Sequence, residues 1–166
     1  MTTTTTLEPV VAQKRLENTY QYAGGTITIL LTGDDTDGQF SMWESHQKPG
    51  GEPPLHVHHT GDETFIVQEG HVRFRIGDRI VDATPGMVAF APRGVPHTFR
   101  VKSSQAKMLT LATPAGSEEW FQVLGTPAMT FDLPEHIEPP SPDELQKMMV
   151  LSRKLATEIL HEPVDL

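Results

Sequence analysis

From Asn18 to Thr113 the chain is a series of short segments in which apolar and polar residues alternate, each ended by glycine, proline or aspartate. Alternation with period two puts successive side chains on opposite faces of an extended chain, so each segment predicts a β-strand. The first runs from Asn18 to Leu31 and is rich in β-branched residues. Gly33-Asp34-Asp35-Thr36-Asp37-Gly38 then turns the chain; its carboxylates miss the spacing of a calcium-binding EF-hand loop and read as a solvated turn. Between Gln39 and Gln47, Phe40, Met42, Glu44 and His46 share one face, and Ser41, Trp43 and Ser45 the other. Phe40 and Met42 are expected to point inward. Glu63, Phe65 and Val67 share a face of the strand Glu63–Gln68, as do Val72, Phe74 and Ile76 of His71–Ile76. Gly77-Asp78 marks a hairpin. Met87–Ala91, His97–Val101 and Lys107–Thr113 follow, with Phe90, Phe99, Val101 and Met108 expected on the interior. Strands so short and so regularly punctuated predict an all-β sandwich or closed barrel, which leaves few exposed edges.

Beyond Thr113 the pattern changes period. Ser117 is placed to cap a short helix reaching Leu124, ended by Gly125. Pro134 to Pro142 is a proline-rich connector. Ser141-Pro142-Asp143-Glu144 carries the capping-box spacing with proline at the first helical position. Leu145, Met148, Met149, Ser152, Leu155, Ala156 and Ile159 recur at helical spacing and predict an amphipathic helix of about five turns packed on the barrel wall. The expected organisation is a flexible N-terminal arm (residues 1–15), a barrel (16–114) and a helical C-terminal extension (115–166) packed on the barrel.

Composition narrows the chemistry. With no cysteine among 166 residues, disulfides, thiolate metal ligands and a thiol nucleophile are excluded. A formal net charge of −9 argues against nucleic-acid and anionic-membrane partners. No apolar run approaches the roughly 20 residues that cross a bilayer. The threonine tract at the N-terminus has neither the basic nor the apolar region of a signal peptide, so a cytoplasmic location is expected.

Against that background the histidines stand out. His56 and His58 are two apart in extended context, so both rings project from one face with Cα atoms about 7 Å apart. Glu63 follows five residues after His58, and His97 comes after the turn Pro92-Arg93-Gly94-Val95-Pro96. Three imidazoles and a carboxylate in β-like context are a candidate transition-metal site. His59 points away from His58, and His71 alternates with Arg73 and Arg75, so both read as outward; His46 reads as a strand-end residue.

Gly50-x5-His56-x-His58-x4-Glu63-x6-Gly70 and Gly86-x5-Pro92-x-Gly94-x2-His97 are similar to the two motifs of the cupin superfamily, with Val101 where that family usually has asparagine. The resemblance covers about residues 22–113. It implies a small double-stranded β-helix, a jelly-roll barrel, whose mouth holds one divalent transition metal ion on His56, His58, Glu63 and His97. Nitrogen and oxygen donors suit iron, nickel, manganese, cobalt, copper or zinc without choosing among them.

The predicted inward wall of Phe40, Met42, Phe65, Phe74, Phe90, Phe99, Val101 and Met108 carries no lysine or arginine cluster, which favours a small apolar or aromatic substrate. The layout of one short barrel with a helical tail resembles the bacterial quercetin dioxygenase-like monocupins, and the stretch Ala115–Ala128 looks like their post-barrel segment, making Trp120 and Phe121 lid or wall candidates. That resemblance implies a metal-dependent dioxygenase using dioxygen, with Glu63 as proton acceptor, and a homodimer formed through the outer strands and the N-terminal arm. Non-oxidative Lewis-acid chemistry (an isomerase or cyclase) and a non-catalytic small-molecule binding role are the alternatives.

Overall fold

The computed structural model describes residues 7–162, Val164 and Leu166; Met1 to Thr6, the start of the expected arm, lie outside the described residues. The chain forms β1 (Thr19–Tyr22), β2 (Gly25–Leu31), β3 (Ser41–Gln47), β4 (His56–His58), β5 (Asp62–Glu69), β6 (Val72–Ile76), β7 (Arg79–Ala83), β8 (Val88–Ala91), β9 (His97–Val101), β10 (Ala106–Thr113), α1 (Glu119–Leu124), β11 (Thr126–Pro127), α2 (Pro142–Lys154) and β12 (Thr157–Ile159). Two antiparallel sheets face each other, one in the order β11-β1-β2-β3-β10-β5-β8 and the other β12-β4-β9-β6-β7. This is the expected all-β double-stranded β-helix. Among the described residues no helix is long and apolar enough to cross a membrane.

The core between the sheets is built by alternation. Phe65 and Val67 of β5, Val72 and Phe74 of β6, Phe99 and Val101 of β9, and Met108 of β10 interlock in one buried cluster. The Phe65 ring lies 5.3 Å from Phe74 and 6.2 Å from Phe99, centroid to centroid. These are tilted and edge-on packings that favour the ring quadrupoles. A second cluster, Ile27, Ile29, Trp43 and Ala112, has Tyr20, Tyr22 and Phe121 packed against it.

Five expectations are corrected. The segment Asn18–Leu31 is two strands, because Ala23 (φ 46°) and Gly24 (φ 74°) form a two-residue hairpin turn. In β3 the buried positions are Ser41, Trp43, Ser45 and Gln47, so Met42 faces outward and Phe40 lies before the strand, half-buried. Both faces of β3 are mixed in polarity, and burying the Trp43 indole outweighs burying Met42. Phe90 is 55% exposed and Val88 61%. On β8 the small Ala89 and Ala91 take the inward positions, opposite Phe65 and Glu63, where a larger side chain would compete for their space.

The predicted five-turn helix is the fourth. α2 opens as expected: Glu144 donates its backbone N–H to the Ser141 hydroxyl, and the Glu144 carboxylate accepts from the Ser141 N–H at 2.8 Å. It ends at Lys154, and a left-handed Ala156 (φ 48°) turns the chain into β12. That strand gains a backbone ladder with β4, which continued helix would forgo. Leu151 of α2 is buried, whereas Leu145 and Met149 are exposed. In α1 the residue before the helix is Glu118, and Ser117 does not cap it; the Glu118 carboxylate accepts from the backbone N–H groups of Gly33 and Gly116 and pins the loop to the barrel.

Candidate metal centre

β4 and β9 are paired with His56 opposite His97. Alternation buries Val57 on the far side of β4 and leaves His56 and His58 on the inner face. β5, in the other sheet, brings Glu63 across the barrel. The ring centroids lie 4.9 Å (His56–His58), 4.4 Å (His56–His97) and 5.4 Å (His58–His97) apart. One donor atom from each of His56, His58, Glu63 and His97 falls within 4.8 Å of all the others, and this set can hold a metal ion.

The outer nitrogens determine what the inner ones offer. His56 Nδ1 lies 2.9 Å from the Pro54 carbonyl and His97 Nδ1 3.0 Å from the Val95 carbonyl. A carbonyl only accepts, so both Nδ1 atoms carry hydrogen and, in the neutral rings, both Nε2 atoms are bare lone pairs. His58 Nδ1 lies 2.9 Å from the Thr157 hydroxyl. His58 Nε2 is buried, 3.4 Å from a Glu63 oxygen, and makes no well-formed hydrogen bond. An inward-facing set of imidazole lone pairs around a carboxylate is electrostatically unfavourable unless a cation sits among them. The donors therefore fit a metal ion.

The ionisation pattern agrees. Burial, aided by the charge of His97, pushes the His56 pKa down to about 4, so its ring is neutral at pH 7. Burial alone would raise the Glu63 carboxyl, but the close contacts and charge of His58 and His97 hold it well below the usual carboxylate range. Burial likewise disfavours a charged His97, yet the Glu63 oxygen 3.1 Å from its Nε2 outweighs that and raises its pKa. Without metal, the Glu63 carboxylate favours the charged form of His97.

The cluster lies at the wall of a cavity of about 780 Å³. Of the residues expected to form its walls, Phe65, Phe99, Met108, Trp120 and Phe121 do line it. Phe74 and Val101 are buried in the core cluster and are not part of the lining; Phe40, Met42 and Phe90 do not line it either. The Phe121 ring packs edge-on against Trp43 at 5.3 Å and Tyr22 at 5.7 Å, while Trp120 donates its indole N–H to the Tyr22 hydroxyl at 2.8 Å. Sequence reasoning missed Tyr22, Trp43, Gln47, Ile137 and Thr157 as lining residues. Trp43 was discoverable, since it alternates with two serines; Ile137 and Thr157 reach the cavity through long-range docking that carries no local signal. His59 pairs with Glu158, and His71 with Asp82, on outer faces as expected.

The sequence profile of the Cupin domain family matches residues 43–113, which include all four donors. Residues 43–113 are a cupin domain. The chain is also 30% identical over 118 residues to a Quercetin 2,3-dioxygenase from Bacillus subtilis (strain 168), a match covering 65% of this chain and 35% of that protein. The chain thus spans about a third of the length of that curated relative. Among solved structures, a predicted oxalate decarboxylase from Thermotoga maritima superposes with a TM-score of 0.56 at 19% identity, covering 63% of this chain and 99% of that one. KdgF from Halomonas sp. gives 0.54 at 16% identity, covering 60% and 89%. Both share the cupin fold. The cupin match ends at Thr113, so α1, the connector, α2 and β12, which supply much of the cavity wall, lie outside it.

Proposed function

We propose that this chain is a metal-dependent dioxygenase acting on an uncharged aromatic or enolisable hydroxy-carbonyl compound. The observation that carries the reading is the cavity: its lining includes Trp43, Phe65, Phe99, Trp120 and Phe121 and the four metal-donor side chains and, among the described residues, contains no lysine or arginine. Its remaining charged groups, Glu52, Glu138 and Glu144, are acidic. Such a wall repels carboxylates and phosphates and favours flat, neutral rings. Similarity to a protein named Quercetin 2,3-dioxygenase supports the same substrate class.

In this reading His56, His58, Glu63 and His97 hold one divalent transition metal ion, which supplies Lewis acidity and a path for electrons between substrate and dioxygen. Glu63, the one carboxylate among the donors and ionised in its buried site, accepts the proton of the substrate hydroxyl. Phe65, Phe99 and Met108 keep water from the reacting carbon, and Trp120 and Phe121 flank the ring. The reading includes a homodimer, supported by the exposed Ile80 and Val81 on β7 and Val88 and Phe90 on β8, which are edge strands of the two sheets. Sedimentation is expected to give twice the chain mass.

The test is oxygen uptake by protein reconstituted separately with iron, nickel, manganese, cobalt and copper, assayed with flavonols and related enols. Substrate-dependent uptake is expected, reduced roughly 10²-fold or more in Glu63→Ala. Turnover that persists without oxygen would move the assignment to Lewis-acid isomerisation or cyclisation. Tight ligand binding with no turnover for any metal would make the chain a binding protein.

A further inference from the structure

We infer that Thr157 is a positioning residue for the metal centre, and that through it the C-terminal extension completes a site whose donors all lie in the cupin domain. The inference rests on reading the histidine–glutamate cluster as a metal site, and goes beyond it in assigning a residue 99 positions from its target. The reason is geometric. β12 lies antiparallel against β4 with Thr157 directly opposite His58, Glu158 opposite Val57 and Ile159 opposite His56. Residues directly opposite on paired strands project to the same face with Cβ atoms about 5 Å apart. Thr157 and Ile159 therefore stand beside the two histidines at the cavity, while Glu158 points outward to His59 at 3.0 Å.

Each histidine needs its Nδ1–H fixed if Nε2 is to face the metal. For His56 and His97 the acceptor is a carbonyl of their own connecting loop, two residues before the ring. Pro53, next to Pro54, is itself held: its carbonyl accepts from the Thr98 hydroxyl at 2.7 Å and from Arg100 at 3.2 Å. His58 has the Thr157 hydroxyl in that place. That hydroxyl lies 3.4 Å from the Leu155 carbonyl, to which it donates; its lone pairs are then turned to His58 Nδ1–H, which leaves Nε2, buried and without a hydrogen-bond partner, as the bare nitrogen of the neutral ring. The placement of β12 is firm for so short a strand. Besides its ladder with β4, His59 N–H donates to the Ala156 carbonyl at 2.9 Å and Leu160 N–H to the Leu55 carbonyl at 2.8 Å. A side chain that closes the cavity wall and one that orients a metal donor thus travel on one three-residue strand, so loosening the extension weakens both together.

The experiment compares Thr157→Val, which keeps the shape and removes the hydroxyl, with Thr157→Ser, which keeps the hydroxyl, and with Glu158→Gln on the opposite face. Full-length proteins are stripped and titrated with zinc against a competing chelator, and the cobalt-loaded forms are compared by visible absorption. Thr157→Val is expected to lose 10- to 100-fold in zinc affinity with an altered cobalt spectrum. Thr157→Ser and Glu158→Gln are expected to bind within about threefold of the wild type, since neither removes the His58 acceptor. Long-range ¹⁵N spectra of the wild-type histidines need no variant to fold, and are expected to show His58 protonated at Nδ1 and bare at Nε2. A folded Thr157→Val that binds zinc as tightly as the wild type, a folded Thr157→Ser as weak as Thr157→Val, or the reverse His58 tautomer overturns this inference alone. A wild-type chain that takes up no zinc, cobalt or nickel overturns the metal reading beneath it.

Discussion

Removing and restoring the metal is expected to change the stability of the whole domain by an amount that can be worked out. In the stripped protein the inward nitrogens of three histidines and the Glu63 carboxylate are held within 4.8 Å of one another. The unfolded chain has no such arrangement, so a metal binds the folded state selectively. At a free metal concentration one hundred times its dissociation constant, selective binding stabilises by about 2.7 kcal/mol. For a chain of this size each kcal/mol moves the melting temperature by roughly 2–4 °C, which gives a rise of roughly 5–11 °C on loading.

The assay is calorimetric melting of chelator-treated protein with and without zinc or nickel. Glu63→Gln keeps the shape of the side chain and removes its charge. If that change weakens affinity a hundredfold, the same metal concentration stabilises by only about 0.4 kcal/mol, a rise of roughly 1–2 °C. A Glu63→Gln protein that rises as far as the wild type would show that the carboxylate is no ligand. A wild type that does not rise at all would refute the four-residue site.

Three further outcomes follow from other parts of the fold. Phe65→Ala removes a ring packed among Phe74, Phe99 and His97; urea unfolding should show a loss of about 3–5 kcal/mol, and a loss below about 1 kcal/mol would mean the cluster repacks freely. The Arg73 guanidinium, with the His71 ring, holds the Asp82 carboxyl at about 2. Because that folded-state pKa is depressed, the stabilisation is complete above the ordinary carboxylate range and is lost as pH falls from there toward 2. The urea midpoint of the wild type should therefore fall more steeply over this interval than that of Asp82→Asn, and parallel curves would refute the pairing. Ala156 occupies a left-handed conformation that a side chain disfavours, so Ala156→Gly should stabilise by about 0.5 kcal/mol after the extra freedom of the unfolded chain is counted; a lower melting temperature would contradict this.

Local periodicity is enough to place most of the barrel strands and to put His56 and His58 on one face, because a strand alternates without regard to its partners. Their grouping with Glu63 and His97 comes from the resemblance of the two motifs. His56 and His58 share a face whatever lies beside them. Periodicity does not say which face of a mixed strand turns inward. In β3 the answer depends on Trp43 meeting Phe121 from α1, and in β8 on alanines fitting opposite Phe65 and Glu63. Nor can it show where a helix yields to a strand when Leu155, Ala156 and Ile159 continue the helical spacing. The break at Ala156 is stabilised by β4, about a hundred residues earlier in the chain. The missed lining residues fall in one region: Tyr22, Trp43, Ile137 and Thr157 all meet the cavity where the extension docks on the barrel. The donor set is carried by residues 56–97, inside the cupin match, whereas much of the cavity wall is carried by residues 117–159, beyond it. Two chains can therefore share the donors and differ in substrate, and a change of specificity should be sought first in α1, α2 and β12 rather than among the histidines.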